Sequence, residues 1–313
     1  MRRFDQMLSR VAILAAIVLA VDVMLPTRPA AAGEAISHTI DVNGVSRTYL
    51  LYVPPGQSGK RLPAFIMMHG SGSTDAQQET YTNFDAFAQA HGLVVMYPQG
   101  IDKHWNDGRV IGHESMADDI GFMKAMLAEV TAQGLIDPKR VYAAGISNGG
   151  FMAQHMACVM PDALAGIAVI AASQPVDAAC PSPRPMPVIF FHGTADKFVP
   201  FDGGPIAPQF GNRGTAMSNA QAVATWQKRN GCGGATRKQI IPAKDASDSL
   251  PVTVETYSCP AGRGLENVIV QGGGHSWPGA HQGWLVTKIL GPVTDNINAN
   301  DTMWSFFQSQ AAR

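Results

Sequence analysis

The sequence predicts one α/β domain whose mostly parallel sheet is covered by helices on both faces. Three observations predict it. Short apolar runs alternate with helix-permissive stretches along the chain. Runs such as Ala64-Phe-Ile-Met-Met68 lack polar alternation, as strands buried on both faces require. Gly145-Ile-Ser147-Asn-Gly149 sits between a β-branched, aromatic run and a helix-permissive stretch, the setting of a sharp strand-to-helix turn. No repeat or low-complexity linker divides the chain, so one domain is expected after the leader.

The elements follow in order. Ser37 to Asp41 and Val45 to Val53 flank Asn43-Gly44, a strong hairpin signal, and Pro54-Pro55-Gly56 ends the pair. Ala64 to Met68 reads as a buried strand running into His69-Gly70-Ser71-Gly72. Tyr81 to Ala90 reads as a helix and Leu93 to Tyr97 as the next strand. Met116 to Thr131 is helical by spacing, with Ile120, Met123, Met126, Leu127 and Val130 on one stripe. Val141 to Ala144 is a strand and Asn148 to Met160 its following helix. Leu164 to Ala172 and Pro187 to Phe191 give two more strands, and Ala216 to Lys228 a helix. Val252 to Tyr257 and Asn267 to Val270 are strand candidates, and Thr302 to Ala311 is a terminal helix.

Residues 1–32 have the layout of a secretory signal: Arg2, Arg3 and Arg10, then the apolar stretch Val11 to Leu25, then Ala30-Ala31-Ala32 before Gly33. A membrane anchor would need roughly 18 to 20 apolar residues, and Asp22 interrupts this shorter run. Cleavage near Ala32 would leave residues 33–313 as a single exported domain, with no membrane attachment. The whole chain has 23 basic and 24 acidic residues. Removing Arg2, Arg3, Arg10 and Arg28 with Asp5 and Asp22 leaves 19 against 22, a net of −3. That balance, with no basic stripe, argues against a nucleic-acid partner. A monomer that uses no cofactor is expected.

All four cysteines, Cys158, Cys180, Cys232 and Cys259, follow the expected cleavage point. An even count in an exported protein points to disulfides, and four cysteines allow three connectivities. Cys158–Cys180 with Cys232–Cys259 is favoured because each pair closes a local loop; buried free thiols are the alternative. No C-x-x-C or H-x-x-x-H spacing suggests zinc or another metal.

Ser147 is the candidate nucleophile. Glycines on either side let strand and helix close against the turn, and the hydroxyl then sits at a helix N-terminus that favours developing negative charge. A plain Gly-rich turn would explain the pentapeptide alone, but two later motifs supply partners. Asp196 lies in the loop after the Pro187–Phe191 strand, and His275 in the Gly-rich loop after Val268-Ile-Val270. Open parallel sheets place active sites at the carboxyl ends of their strands, where all three can converge. The order Ser147, Asp196, His275 is that of α/β-hydrolases. His275 would act as general base and acid, and Asp196 would fix its tautomer. Asp202 and Asp177 also follow strands and stay open as alternatives for the acid. His38, His91, His104, His113, His155 and His281 read as structural or solvated, and His69 and His192 as loop-ordering residues. The oxyanion donors are expected to be the backbone N–H groups of Asn148 and Ser71, with Gly72 next.

These motifs resemble exported α/β-hydrolase esterases of the poly(3-hydroxybutyrate) depolymerase-like and feruloyl or acetyl-xylan esterase-like family. The similarity runs through Tyr52-Val53-Pro54, Met68-His69-Gly70, Trp105-Asn106-Asp107 and Asp118-Asp119-Ile-Gly-Phe122. It continues through Ile136 to Tyr142, Gly145 to Gly150, His192-Gly-Thr-Ala-Asp196 and Gly273 to Gly279. The resemblance implies the same triad, and it supports a Cys232–Cys259 bridge. Many relatives carry cysteine after the His-Gly pair, where this chain has Ser71, so a family disulfide at that point would be absent.

Substrate stays open: hydroxyalkanoate esters, or feruloyl and acetyl esters of plant polysaccharide. Ser173 to Arg184 is too short for a large cap domain, so an open cleft is expected. Trp277 and Trp105 are candidates for stacking on substrate, with simple packing the alternative for each. The Gly/Pro-rich stretch Asp202 to Gly214 is expected on the rim. An acyltransferase or peptidase on the same scaffold, or a non-catalytic binding protein, are the competing readings.

Overall fold

A computed structural model of the chain describes residues 33–57, 59–109, 117–182, 184–245 and 248–311. The expected signal segment, residues 1–32, lies outside them, as do His113 and Met116. The hairpin comes first: β1 (Ile36–Val42) and β2 (Val45–Tyr52) pair antiparallel around Asn43-Gly44, both at positive φ. Then follow β3 (Leu62–Met68), α1 (Asp75–Thr82), α2 (Phe84–His91), β4 (Val94–Pro98), α3 (Asp119–Ala132), β5 (Ile136–Ile146) and α4 (Asn148–Val159). The second half holds β6 (Gly166–Ile170), β7 (Val188–Gly193), the short pair β8 (Gly204–Pro205) and β9 (Thr215–Ala216), and α5 (Asn219–Asn230). It ends with β10 (Ala235–Ile241), β11 (Val252–Tyr257), β12 (Leu265–Val270), α6 (Trp284–Leu290) and α7 (Ala299–Ala311).

The main sheet has ten strands in the order β1-β2-β4-β3-β5-β6-β7-β12-β11-β10. The six central strands, β4 to β12 in that order, are parallel, and an antiparallel pair closes each edge. β3, β4, β6 and β7 are buried along their whole length, so they read as unbroken apolar runs. Their two faces feed separate cores, because successive side chains point to opposite sides. On β3, Ala64, Ile66 and Met68 join Phe122, Met126, Phe151 and Trp226 of α3, α4 and α5. Phe65 and Met67 join Phe84, Trp304 and Phe307 of α2 and α7 on the other face. This is an α/β-hydrolase architecture, and residues from Ala35 onward group into one compact unit.

Local chemistry sets several boundaries away from expectation. The helix expected over Tyr81 to Ala90 is two helices, because Asn83 adopts a left-handed conformation between them. The helix expected from Ala216 begins at Asn219, since Ser218 and Gln221 form a reciprocal capping box there. Besides the two-residue strands β8 and β9, two elements have no counterpart in the sequence reading. β10 is an edge strand with an almost fully exposed face pattern, and α6 has no buried residue. β10 offers no apolar alternation, and α6, at seven residues, is shorter than the window over which helical periodicity can be read.

Candidate active site

Ser147 is the hinge between β5 and α4. Its φ of 56° and ψ of −122° lie outside the regions an L-residue ordinarily adopts. The turn is sharp enough that a Cβ on Gly145 would meet the backbone of Gly149, and one on Gly149 the carbonyl of Met68. The Ser147 N–H donates to the Ile170 carbonyl of β6 at 2.9 Å, which pins the strained residue to the sheet. The side chain is half-buried at the carboxyl end of β5.

Asp196 and His275 lie at the carboxyl ends of the adjacent strands β7 and β12. The two loops are joined by Thr194 N–H to the Val270 carbonyl at 3.0 Å, Ala195 N–H to Gly273 at 2.9 Å, and Gly272 N–H to Thr194 Oγ1 at 2.8 Å. His275 Nδ1 stands 2.8 Å from Asp196 Oδ2. A carboxylate only accepts, so Nδ1–H is the donor in this pair and Nε2 is the nitrogen that Asp196 leaves unengaged. The other carboxylate oxygen accepts the N–H groups of Phe198 at 2.8 Å and Val199 at 2.9 Å. Burial opposes ionisation of Asp196. The charge of His275 and the N–H groups of His192 and His275 outweigh it and hold the carboxyl well below the usual carboxylate range. His192 Nε2–H donates to the Val199 carbonyl at 2.9 Å and stands 3.6 Å from Asp196 Oδ2, so this buried ring clamps the acid loop. Asp202 and Asp177, the alternatives for the acid, are both exposed, and His275 bonds to neither.

The expected oxyanion loop is the Gly70–Ser73 turn, closed by Ser73 N–H to the Gly70 carbonyl at 3.1 Å. Gly72 N–H is committed to the Lys103 carbonyl at 2.9 Å, which removes it as a donor to substrate. Ser71 Oγ lies 2.5 Å from His104 Nδ1. His69 behind it is buried: its Nδ1–H donates to Gly70 at 2.8 Å, and its Nε2 accepts Gly100 N–H at 3.1 Å. Burial is the main cause that lowers the His69 pKa to about 4, so its ring is neutral. The Asn148 N–H sits in the first turn of α4, where no intrahelical carbonyl is in reach.

In segment 100–109 the sequence reading singles out Trp105 as a substrate contact and does not foresee the polar brace around Asp107. Asn148 Nδ2 donates to Asp107 Oδ2 at 2.6 Å. Arg109 grips the same carboxylate through Nε at 2.9 Å and Nη2 at 2.7 Å, and its Nη1 donates to the Arg213 carbonyl at 2.7 Å. The helix start after Ser147 is thus linked to the rim loop. Asp102 and Lys103 both take positive φ, of 50° and 63°, in this segment. The polar run His104-Trp-Asn-Asp-Gly-Arg109 is the sequence hint of such a brace.

The expectation that Trp277 and Trp105 stack on substrate is corrected. Their exposures are 1% and 0%, and both indoles are spent on the protein. Trp277 Nε1–H donates to Asn300 Oδ1 and Trp105 Nε1–H to the His69 carbonyl, at 3.0 and 2.9 Å. Both residues order loops from beneath. The cysteines pair as Cys158–Cys180 and Cys232–Cys259. Among the described residues no cluster of three or more His, Cys, Asp or Glu side chains is arranged to hold a metal ion.

Comparison with known proteins gives the geometry a context. A family model described as Esterase PHB depolymerase matches residues 47–200, a span that includes Ser147 and Asp196. The chain is 31% identical over 292 residues to "Putative esterase NocK" of Nocardia uniformis subsp. tsuyamanensis, covering 89% of this chain and 84% of that one. It is 31% identical over 252 residues to "Feruloyl esterase B" of Piromyces equi, covering 77% of this chain but 45% of that protein. Acetyl xylan esterase from Aspergillus awamori has a similar solved structure, with a TM-score of 0.59 at 13% identity, covering 87% of this chain and 99% of that one. That last likeness speaks to the fold alone.

Proposed function

This chain belongs to the esterase PHB depolymerase family, and from that premise we propose that it is an exported serine carboxylesterase forming an acyl-enzyme on Ser147. The observation that carries the proposal is the 2.8 Å contact of His275 Nδ1 with buried Asp196, at the same sheet end as the strained Ser147. In this reading His275 Nε2 takes the Ser147 proton as Oγ attacks the ester carbonyl. The N–H groups of Asn148 and Ser71 receive the negative charge that forms on the carbonyl oxygen. His275 then hands the proton to the departing alcohol, and Asp196 stabilises the transient imidazolium. Water, deprotonated by the same His275, clears the acyl group.

The acyl-enzyme chemistry acts within a single catalytic domain, residues 33–313. Two disulfides support export, as does the signal-like composition of residues 1–32. No described helix is long and apolar enough to cross a membrane. The substrates proposed are hydroxyalkanoate esters or the feruloyl and acetyl esters of plant polysaccharide, following the family description and the name of the Piromyces relative. The test is kcat/KM on methyl ferulate, an acetylated xylo-oligosaccharide and the 3-hydroxybutyrate trimer, for wild type and Ser147→Ala. Turnover of at least one, abolished by the substitution, is expected. A preference of a hundredfold, about 2.7 kcal/mol of differential transition-state binding, would name the substrate. Equal turnover by the two proteins would overturn the proposal.

A further inference from the structure

His275 does not stand alone at the mouth of the site. The Phe198 ring lies 5.1 Å from the His275 ring, inclined at 30°, and the Phe210 ring lies 6.2 Å from Phe198, inclined at 29°. Three rings therefore step outward from the base, each tilted by about 30° from the one before. The last is in water: Phe210 is 53% exposed, although a phenyl ring gains by burial.

The ladder is held in place. Phe198 follows Asp196 by two residues, and its N–H donates to that carboxylate at 2.8 Å. Its carbonyl accepts the Ala207 N–H at 2.6 Å, which ties the rim loop to the acid loop. Phe210 N–H donates to Ala207, and Arg109 holds the Arg213 carbonyl at 2.7 Å on the loop's far side. Ala207 itself carries a φ of 40°, so the loop is bent to present this face. A rigid aromatic surface contiguous with a catalytic histidine has little conformational entropy left to lose on binding.

We infer that Phe198 and Phe210 form a specificity-determining wall for the leaving alcohol, selecting one that bears a ring with a flat apolar face. The inference rests on the esterase reading above. The side of the site follows from the chemistry: His275 must deliver its proton to the alcohol oxygen, so rings packed on its imidazole lie nearest that half of the ester. Flat stacking on Phe210 rewards an aromatic ring, or the apolar face of a pyranose, over a short flexible alkyl group.

The test varies one half of the ester at a time, in wild type and Phe210→Ala. Ethyl acetate is the reference. Benzyl acetate and a mono-acetylated methyl xyloside vary the alcohol, and ethyl 3-phenylpropanoate varies the acyl group. Phe210→Ala is expected to lower kcat/KM by about fivefold for benzyl acetate, the xyloside or both, through KM, leaving the other two esters unchanged. Loss on benzyl acetate alone identifies an aromatic alcohol, and loss on the xyloside alone a sugar. Loss on ethyl 3-phenylpropanoate instead, a uniform loss on all four, or no loss on any would overturn the inference. Wild-type failure on every ester would strike the esterase reading, a result distinct from these.

Discussion

The side-chain amide of Asn148 closes on the backbone of Trp105 from both sides. Its Oδ1 accepts the Trp105 N–H at 2.7 Å and its Nδ2 donates to the Trp105 carbonyl at 3.1 Å. The residue that offers a backbone donor beside Ser147 therefore also holds the segment whose Lys103 carbonyl ties down Gly72. Both halves of the proposed oxyanion site are one mechanical unit.

Asn148→Leu should show this. It would strand the Trp105 N–H and carbonyl in a buried position and take one donor from the buried Asp107 carboxylate, at a cost of about 2–4 kcal/mol in urea unfolding. A kcat loss of about tenfold or more is expected, because the donors would lose their register. Asn148→Asp would face the Asp107 carboxylate where a 2.6 Å hydrogen bond now stands. That variant should be weaker at pH 7 than at pH 5 relative to wild type, and an unchanged urea midpoint for both variants would refute the brace.

The backbone of Ser147 stores strain that glycine would release. Ser147→Gly is expected to unfold at higher denaturant, by about 1–3 kcal/mol, while losing activity. Ser147→Ala keeps a Cβ in the same conformation and should match wild-type stability. Equal urea midpoints for the glycine and alanine variants would show that the turn is not strained.

Stability should fall with acidification before the carboxylates titrate. The unfolded chain protonates His69 near pH 6.5, whereas burial delays protonation in the folded protein to about 4. The unfolded state thus binds the proton first, and folding loses stability as pH drops from 6.5 towards 4, about 2 kcal/mol by pH 5. Burial also lowers the pKa of His104 and His155, which act in the same direction. Asp196 is depressed, so its contribution is complete above the unfolded carboxylate value near 3.9 and is lost only as pH falls below it. Urea unfolding of His69→Gln between pH 7 and 5 should have a shallower pH slope; an identical slope would rule His69 out.

The Cys232–Cys259 bridge spans 27 residues and joins the end of α5 to the end of β11. Replacing both cysteines by serine should cost about 3.5 kcal/mol through the freedom regained by the unfolded chain. A urea midpoint within error of wild type would contradict that.

Much of the sheet was legible because its central strands are buried on both faces and leave unbroken apolar runs. β10 was not, because almost every side chain on it is exposed and its pairing with β11 is a backbone matter. The candidate nucleophile, acid and base were legible because each ends a strand in a recognisable motif. The brace of Asn148, Asp107, Arg109 and Arg213 was hidden, since its contacts join residues 41 and 104 positions apart. His104 looked like a solvated turn residue until the fold brought it to Ser71. The two tryptophans misled for a related reason: their Gly- and Pro-rich surroundings suggest a surface, while the loops fold back over them.

The most direct measurement is peptide mapping by mass spectrometry after reaction with a fluorophosphonate. The account predicts one adduct per chain, on Ser147, formed at a rate that collapses in His275→Ala. An unlabelled protein, or an adduct on another serine, would contradict it.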